Sequence, residues 1–346
     1  MTANPLSTSL TAAILLGAAA SCSAQQPGHA PIIGSVTLDV DALEYVLLAS
    51  DTTQPKPLLL WYTGSEPVPL YIESPSGDST LTWPTFPAAD SALLANFQVA
   101  VPSKFGVPIT VAESDLDERS RYRGVVGVDE AHVYLRRNFP ADYALAGRMI
   151  LEQLRREAFI DGDSIFVAGH SAGARVAARV AAEEGAGVAG LGFLGSPVQG
   201  RVYGFLNSEI PDGVPEAEIR IAELEAWRQV REAPELPHRS TIANSASSLP
   251  DLLSLNAPVF AAYGTADSPS RDMLVAPYTF VREGKPNLCI RIYQDREHSF
   301  YPVDETGQPN YAAPDPWPRV WREMSAYWRR GSCMGEGMFN AGGDSD

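Results

Sequence analysis

Basic residues are scarce in this chain. Lysine and arginine number 26 against 42 aspartates and glutamates, for a formal net charge of −16. Phosphate backbones are held by clustered cations, so this deficit argues against a nucleic-acid partner. It argues equally against charge-driven binding to anionic membrane surfaces. Long apolar runs are also lacking: the run at residues 10–20 is too short to span a bilayer. There is no Gly-rich phosphate loop, no His/Cys cluster at metal-ligand spacing and no internal repeat. Neither a metal nor an organic cofactor is therefore expected. Histidine occurs at only five positions and cysteine at three, so each can be weighed individually.

The chain has 346 residues, of which 45% are hydrophobic. That suffices for one large α/β core with an insertion. Residues 1–24 read as a secretory signal segment: an apolar stretch, then Ala19-Ala20-Ser21-Cys22-Ser23-Ala24. No Lys or Arg precedes the apolar stretch, which departs from the usual pattern. Two processing routes stay open, cleavage after Ala24 or lipidation of Cys22. Both imply export to a periplasmic or extracellular compartment, the second with a membrane anchor. Residues 25–34 read as a spacer and residues 334–346 as a flexible tail.

The most informative segment is Phe166-Val167-Ala168-Gly169-His170-Ser171-Ala172-Gly173-Ala174. It reads as an apolar strand, a Gly-x-Ser-x-Gly turn and an Ala-rich helix. On such a turn a serine hydroxyl is pushed outward, and glycines two residues either side let the turn close. A serine nucleophile needs a base, and the base needs an acid to orient it. His29, His132, His170 and His238 are early, in irregular stretches, or adjacent to the serine. His298 alone follows a late strand pattern, Leu288-Cys289-Ile290-Arg291-Ile292-Tyr293. Asp267 follows another, Val259-Phe260-Ala261-Ala262-Tyr263-Gly264, with Asp272 as its nearby rival. His170 is read as packing against the turn, and Asp295 and Glu297 as solvated loop charges.

The order Ser171, Asp267, His298 resembles that of the α/β-hydrolase superfamily, and the likeness runs from about residue 35 to residue 330 in element order as well. The resemblance implies a mostly parallel central sheet flanked by helices. It implies Ser171 as nucleophile, His298 as base and Asp267 as acid. It also implies an oxyanion site built from the Ala172 N–H and a donor on the turn after residues 57–62. Many members carry His-Gly there, whereas this chain has Thr63-Gly64-Ser65. The Ser65 N–H is the expected donor, with Gly64 allowing close approach. Residues 198–256, with apolar Ala217, Ile221, Leu224, Trp227 and Val230 at helical spacing, fall where the family places a helical lid. Residues 63–87 read as a long irregular loop walling the site.

The expected activity is hydrolysis of a carboxylic ester through an acyl-enzyme. A compact peptidase or thioesterase of the same fold is the alternative, and a non-catalytic binding protein is the rival from another class. The partner is a small ester or peptide, and the oligomeric state stays open. Cys289 falls at the start of its strand and Cys333 after a final helix that carries Trp317, Trp321, Met324 and Trp328 on one face. That helix must run back antiparallel, so both thiols are expected at the end remote from the site, where an oxidising compartment favours a disulfide.

Overall fold

The computed structural model describes residues 31–82, 91–129, 131–201, 203–204 and 243–333. Cys22, His29, His238, most of residues 198–256 and the tail at 334–346 lie outside the described residues.

The core is an eight-stranded sheet. Its strands are β1 (Ile32–Leu38), β2 (Asp41–Leu48), β3 (Lys56–Tyr62), β6 (Gln98–Pro102), β8 (Ile160–His170), β9 (Gly190–Leu194), β10 (Val259–Gly264) and β11 (Leu288–Tyr293). They lie in the order β1-β2-β6-β3-β8-β9-β10-β11. The β1–β2 and β2–β6 pairs are antiparallel, and every pair from β6 to β11 is parallel. The carboxyl ends of six neighbouring strands therefore open on the same edge.

Parallel strands covered on both faces read as continuous apolar runs, and β3 shows why. Leu58, Leu60 and Tyr62 pack with α3 (Pro140–Leu154) and α4 (Ala172–Glu184). Leu59 and Trp61 point the other way, into the cluster under α1 (Ser91–Asn96) and α7 (Trp317–Arg330). Trp61 meets Trp317 and Trp321 edge to face, with ring centroids 5.9 and 4.6 Å apart. Such contacts, together with the area buried, make a buried Trp→Ala change cost ~3–5 kcal/mol. The Gly-rich β9 has a packing reason. A Cβ on Gly190 would sit 2.6 Å from Trp328 Cδ1, and one on Gly192 would overlap Met324 Sδ.

Three expectations need correction. The spacer ends earlier than residue 34, because β1 begins at Ile32 and pairs with Leu47. Residues 63–87 are not wholly irregular: β4 (Tyr71–Glu73) and β5 (Ser79–Leu81) form a small sheet with β7 (Thr110–Ala112). Strands of three residues are too short to show a period, and these are held by a partner far along the chain. Glu297 is not a solvated loop charge. Its Oε1 accepts from the backbone N–H groups of Ser299 and Tyr301 at 2.9 and 3.0 Å.

The described residues also include the helices α5 (Leu249–Ser254), α6 (Val275–Arg282) and the short α2 (Val133–Arg137), and a 3₁₀ helix at Ser268–Leu274. Cys289 and Cys333 are disulfide-bonded, with Cα atoms 5.4 Å apart. The bond ties the start of β11 to the segment after α7, at the opposite end of the sheet from His298. No helix among the described residues is long and apolar enough to cross a membrane.

Candidate active site

Ser171 sits between β8 and α4 with φ 58° and ψ −127°. A positive φ is costly for a residue with a Cβ and persists only where the surroundings impose it. Here they do. A Cβ on Gly169 would overlap the Gly173 backbone, and one on Gly173 would overlap the carbonyl oxygens of Tyr62 and Thr63. The Ser171 N–H donates to Leu194 O at 2.9 Å, which pins the turn to β9. Ser171 and Ala172 are both half-buried, and the N-terminus of the 13-residue α4 directs its positive end at this point.

Asp267 and His298 are brought together. Asp267 is 3% exposed, and its Oδ2 lies 3.0 Å from His298 Nδ1. The same oxygen accepts from Ser270 Oγ at 2.6 Å. Burial opposes ionisation of Asp267, but the His298 charge and the bonds from His298 and Ser270 outweigh it and hold its pKa below the ordinary carboxylate value. Burial likewise opposes protonation of His298. The Asp267 carboxylate more than offsets this, so the imidazole titrates above its ordinary 6.5. The His298 side chain is 38% exposed, open enough to receive a substrate. The rival Asp272 is engaged elsewhere: it accepts from the N–H groups of Val198 and Gln199 at 3.0 and 2.8 Å. Burial lifts its pKa to about 6.

Ser171 and His298 share no hydrogen bond in this structure. They are joined instead through His170. Its ring lies 4.6 Å from the His298 ring, centroid to centroid, and its Nε2 is 2.8 Å from His298 O. A carbonyl accepts, so His170 is the Nε2–H tautomer. Burial and the neighbouring His298 push its pKa down to about 3, so it stays neutral. Adjacency to the turn hinted at packing for His170; nothing in the sequence signalled a bond to the main chain of residue 298.

The turn after β3 faces the serine. A Cβ on Gly64 would lie 3.6 Å from Ser171 Cβ. The two flanking carbonyls are held away from it: Thr63 O accepts from Lys104 Nζ at 3.3 Å, and Ser65 O accepts from Tyr134 Oη at 3.2 Å. Among the described residues no protein atom accepts from the N–H groups of Gly64, Ser65 or Ala172. Those donors are what a developing oxyanion requires. Ser270, Lys104 and Tyr134 escaped the sequence reading, although Ser270 follows Asp267 by one turn and Lys104 comes two residues after the buried strand β6. No group of three or more His, Cys, Asp or Glu able to hold a metal ion occurs among the described residues.

No family model matches the sequence, and no curated protein matches it at a significant level. Solved structures do match in shape. The acylaminoacyl peptidase of Pyrococcus horikoshii superposes with a TM-score of 0.54 at 14% identity, over 90% of this chain and 43% of that one. A puromycin-hydrolyzing peptidase of Mycobacterium tuberculosis gives 0.55 at 10%, over 89% and 40%. Est1E from Butyrivibrio proteoclasticus gives 0.50 at 11%, over 86% and 98%. The chain has the α/β-hydrolase fold. It spans less than half of either peptidase and nearly the whole of Est1E. In an α/β-hydrolase fold of this topology, Ser171, Asp267 and His298 all follow the carboxyl ends of parallel strands, β8, β10 and β11, where open α/β sheets bind ligands.

Proposed function

We propose that this α/β-hydrolase-fold chain is a serine hydrolase that cleaves a carboxylic ester. The observation that carries the reading is the Asp267–His298 bond of 3.0 Å beside a serine held at φ 58°. His298 Nε2 takes the Ser171 proton as Oγ attacks the carbonyl carbon. Asp267 keeps Nδ1 protonated and stabilises the imidazolium. The N–H of Ala172 and the Gly64–Ser65 turn hold the oxyanion. Collapse expels the alcohol, which receives its proton from His298. Water then attacks the acyl-enzyme by the same route, with His298 again as base, and releases the acid. The Ser171–His298 hydrogen bond closes when substrate fills the site, as such bonds commonly tighten only in the complex.

An ester is preferred because the shape match to Est1E takes in 98% of that chain, against 43% and 40% of the two peptidases. The shape match to those peptidases favours a compact peptidase as the second reading. Export fits the disulfide, which is at home in an oxidising compartment, and lipidation of Cys22 is the anchored variant of that route. Residues 198–256 are proposed as a lid, hung at its start on Asp272. The experiment is labelling with a fluorophosphonate probe, then turnover of aryl esters against aminoacyl amides. Wild type labels and cleaves esters; Ser171→Ala does neither. An unlabelled wild type defeats the reading in favour of a binding protein, and preference for amides selects the peptidase.

A further inference from the structure

Lys104 is a cation in an unusual place. It is 9% exposed, and burial alone, with no charged neighbour contributing, moves its pKa down to about 8. Its ammonium meets the Thr63 carbonyl at 3.3 Å and lies 5.2 Å from the centroid of the Tyr143 ring. A buried charge without a counter-ion costs several kcal/mol against an apolar side chain of the same length. A side chain kept only for packing has no need of that charge.

We propose that Lys104 is a positioning residue for the reaction: its ammonium orients and polarises the Thr63–Gly64 peptide, which presents a main-chain N–H to the oxyanion. This rests on the reading of Ser171 as the acylated nucleophile. The topology brings the two segments together. β6 and β3 are adjacent and parallel, so the turn after β6 lies beside the turn after β3. The backbone of that turn is fixed: Ser103 N–H donates to Glu44 O and Val107 N–H to Lys104 O, each at 2.9 Å, and Ser103 Oγ donates to Val107 O at 2.8 Å. Lys104 is thereby aimed inward.

The carbonyl it meets has little freedom. Thr63 O is pressed against Gly173, where a Cβ would overlap it, and the next carbonyl but one, Ser65 O, is held by Tyr134. The Gly64 peptide is therefore fixed on both sides while Gly64 itself faces Ser171. In a planar trans peptide the N–H points opposite to the C=O, so Gly64 N–H points away from Lys104. Electron withdrawal at the Thr63 oxygen passes through amide resonance to that N–H and makes it a stronger donor, in the way hydrogen-bonded chains reinforce one another. The expectation for Ser65 shifts accordingly: Gly64 N–H is the donor that Lys104 strengthens.

The test uses the full chain with Lys104→Met and Lys104→Arg, an aryl ester, its thionoester analogue and a fluorophosphonate. Removing a whole oxyanion donor costs about 10²–10³-fold, so weakening one is expected to lower kcat of Lys104→Met about tenfold. KM should change by less than about twofold, and phosphonylation of Ser171 should slow in proportion. The kcat loss should shrink to about threefold on the thionoester, because sulfur is a poor acceptor for the same donors. Lys104→Arg should recover most of kcat. Wild-type kcat and labelling rate in Lys104→Met, an equal loss on both esters, or a loss confined to KM would each overturn the proposal. If Lys104→Met fails to fold, Lys104→Gln takes its place with the same criteria. Failure of the underlying reading looks different: the wild type itself is unlabelled, or Ser171→Ala turns over ester.

Discussion

Replacing Cys333 by Ala breaks the bond to Cys289 without opening a cavity, because residue 333 is exposed whereas Cys289 is 1% exposed and packs in the core. The bridge closes a segment of 44 residues. In the chain-entropy description, freeing a loop of that size returns about 4 kcal/mol to the unfolded chain at 25 °C. With ~2.1 cal/mol/K per residue, a folded body of about 300 residues has an unfolding entropy of about 0.6 kcal/mol/K, so Tm should fall by about 6 °C. Turnover well below Tm should not change, because about 13 Å of strand separates Cys289 from Tyr293, before the loop that carries His298 begins. Thermal unfolding followed by circular dichroism, in non-reducing buffer, checks the first number. Wild type in a reductant should reproduce it, and ester turnover at 25 °C checks the second. A Tm within about 1 °C of wild type, or a fall in kcat alongside the fall in Tm, would refute the reasoning.

Asp267→Asn should cut kcat by roughly 10³–10⁴ with little change in Tm, measured on an aryl ester. Ser270→Ala, which removes one bond to the same carboxylate, should cost about tenfold. His298 titrates above 6.5; in the proposed mechanism it acts as a base when neutral, so kcat/KM should rise with pH through a midpoint above 6.5, and a midpoint below it sinks the assignment. His170 carries the opposite sign. Its folded pKa is depressed, so its contribution is complete above pH 6.5 and is lost as pH falls from there toward 3. That amounts to about 2 kcal/mol by pH 5, read as a shift in the urea midpoint that His170→Phe should abolish. Gly173→Ala should fail to fold stably because its Cβ meets main chain, whereas Gly64→Ala should keep its Tm and lose activity, the new methyl standing 3.9 Å from Ser171 Oγ.

Long strands and amphipathic helices were legible in the sequence because burial on two faces leaves an apolar run and burial on one face leaves a period. β3, β8, β10, β11, α3 and α7 all announce themselves so, and the pairing of Cys289 with Cys333 follows from where their elements must end. The turn serine and the aspartate were legible because each follows a buried strand, and the histidine because it follows the half-buried edge strand β11. What stayed hidden has no period. β4, β5 and β7 are three residues each and exist through one another. Tyr134, Lys104 and His170 are single side chains meeting main chain contributed by remote segments, and Ser270 shows its role only through the carboxylate it touches. A sequence records such side chains but not what they touch.

The tether between His170 and the His298 carbonyl has a practical corollary. Residue 298 is stationed by the His170 ring, which donates to its carbonyl oxygen, and by the Asp267 carboxylate at its Nδ1, neither of which belongs to Ser171. An alanine at position 171 therefore leaves His298, Asp267 and the proposed oxyanion amides standing. Such a variant becomes a snare: it should retain uncleaved ester in register for mass spectrometry or crystallography, letting the molecule reveal its physiological substrate directly from a cell extract.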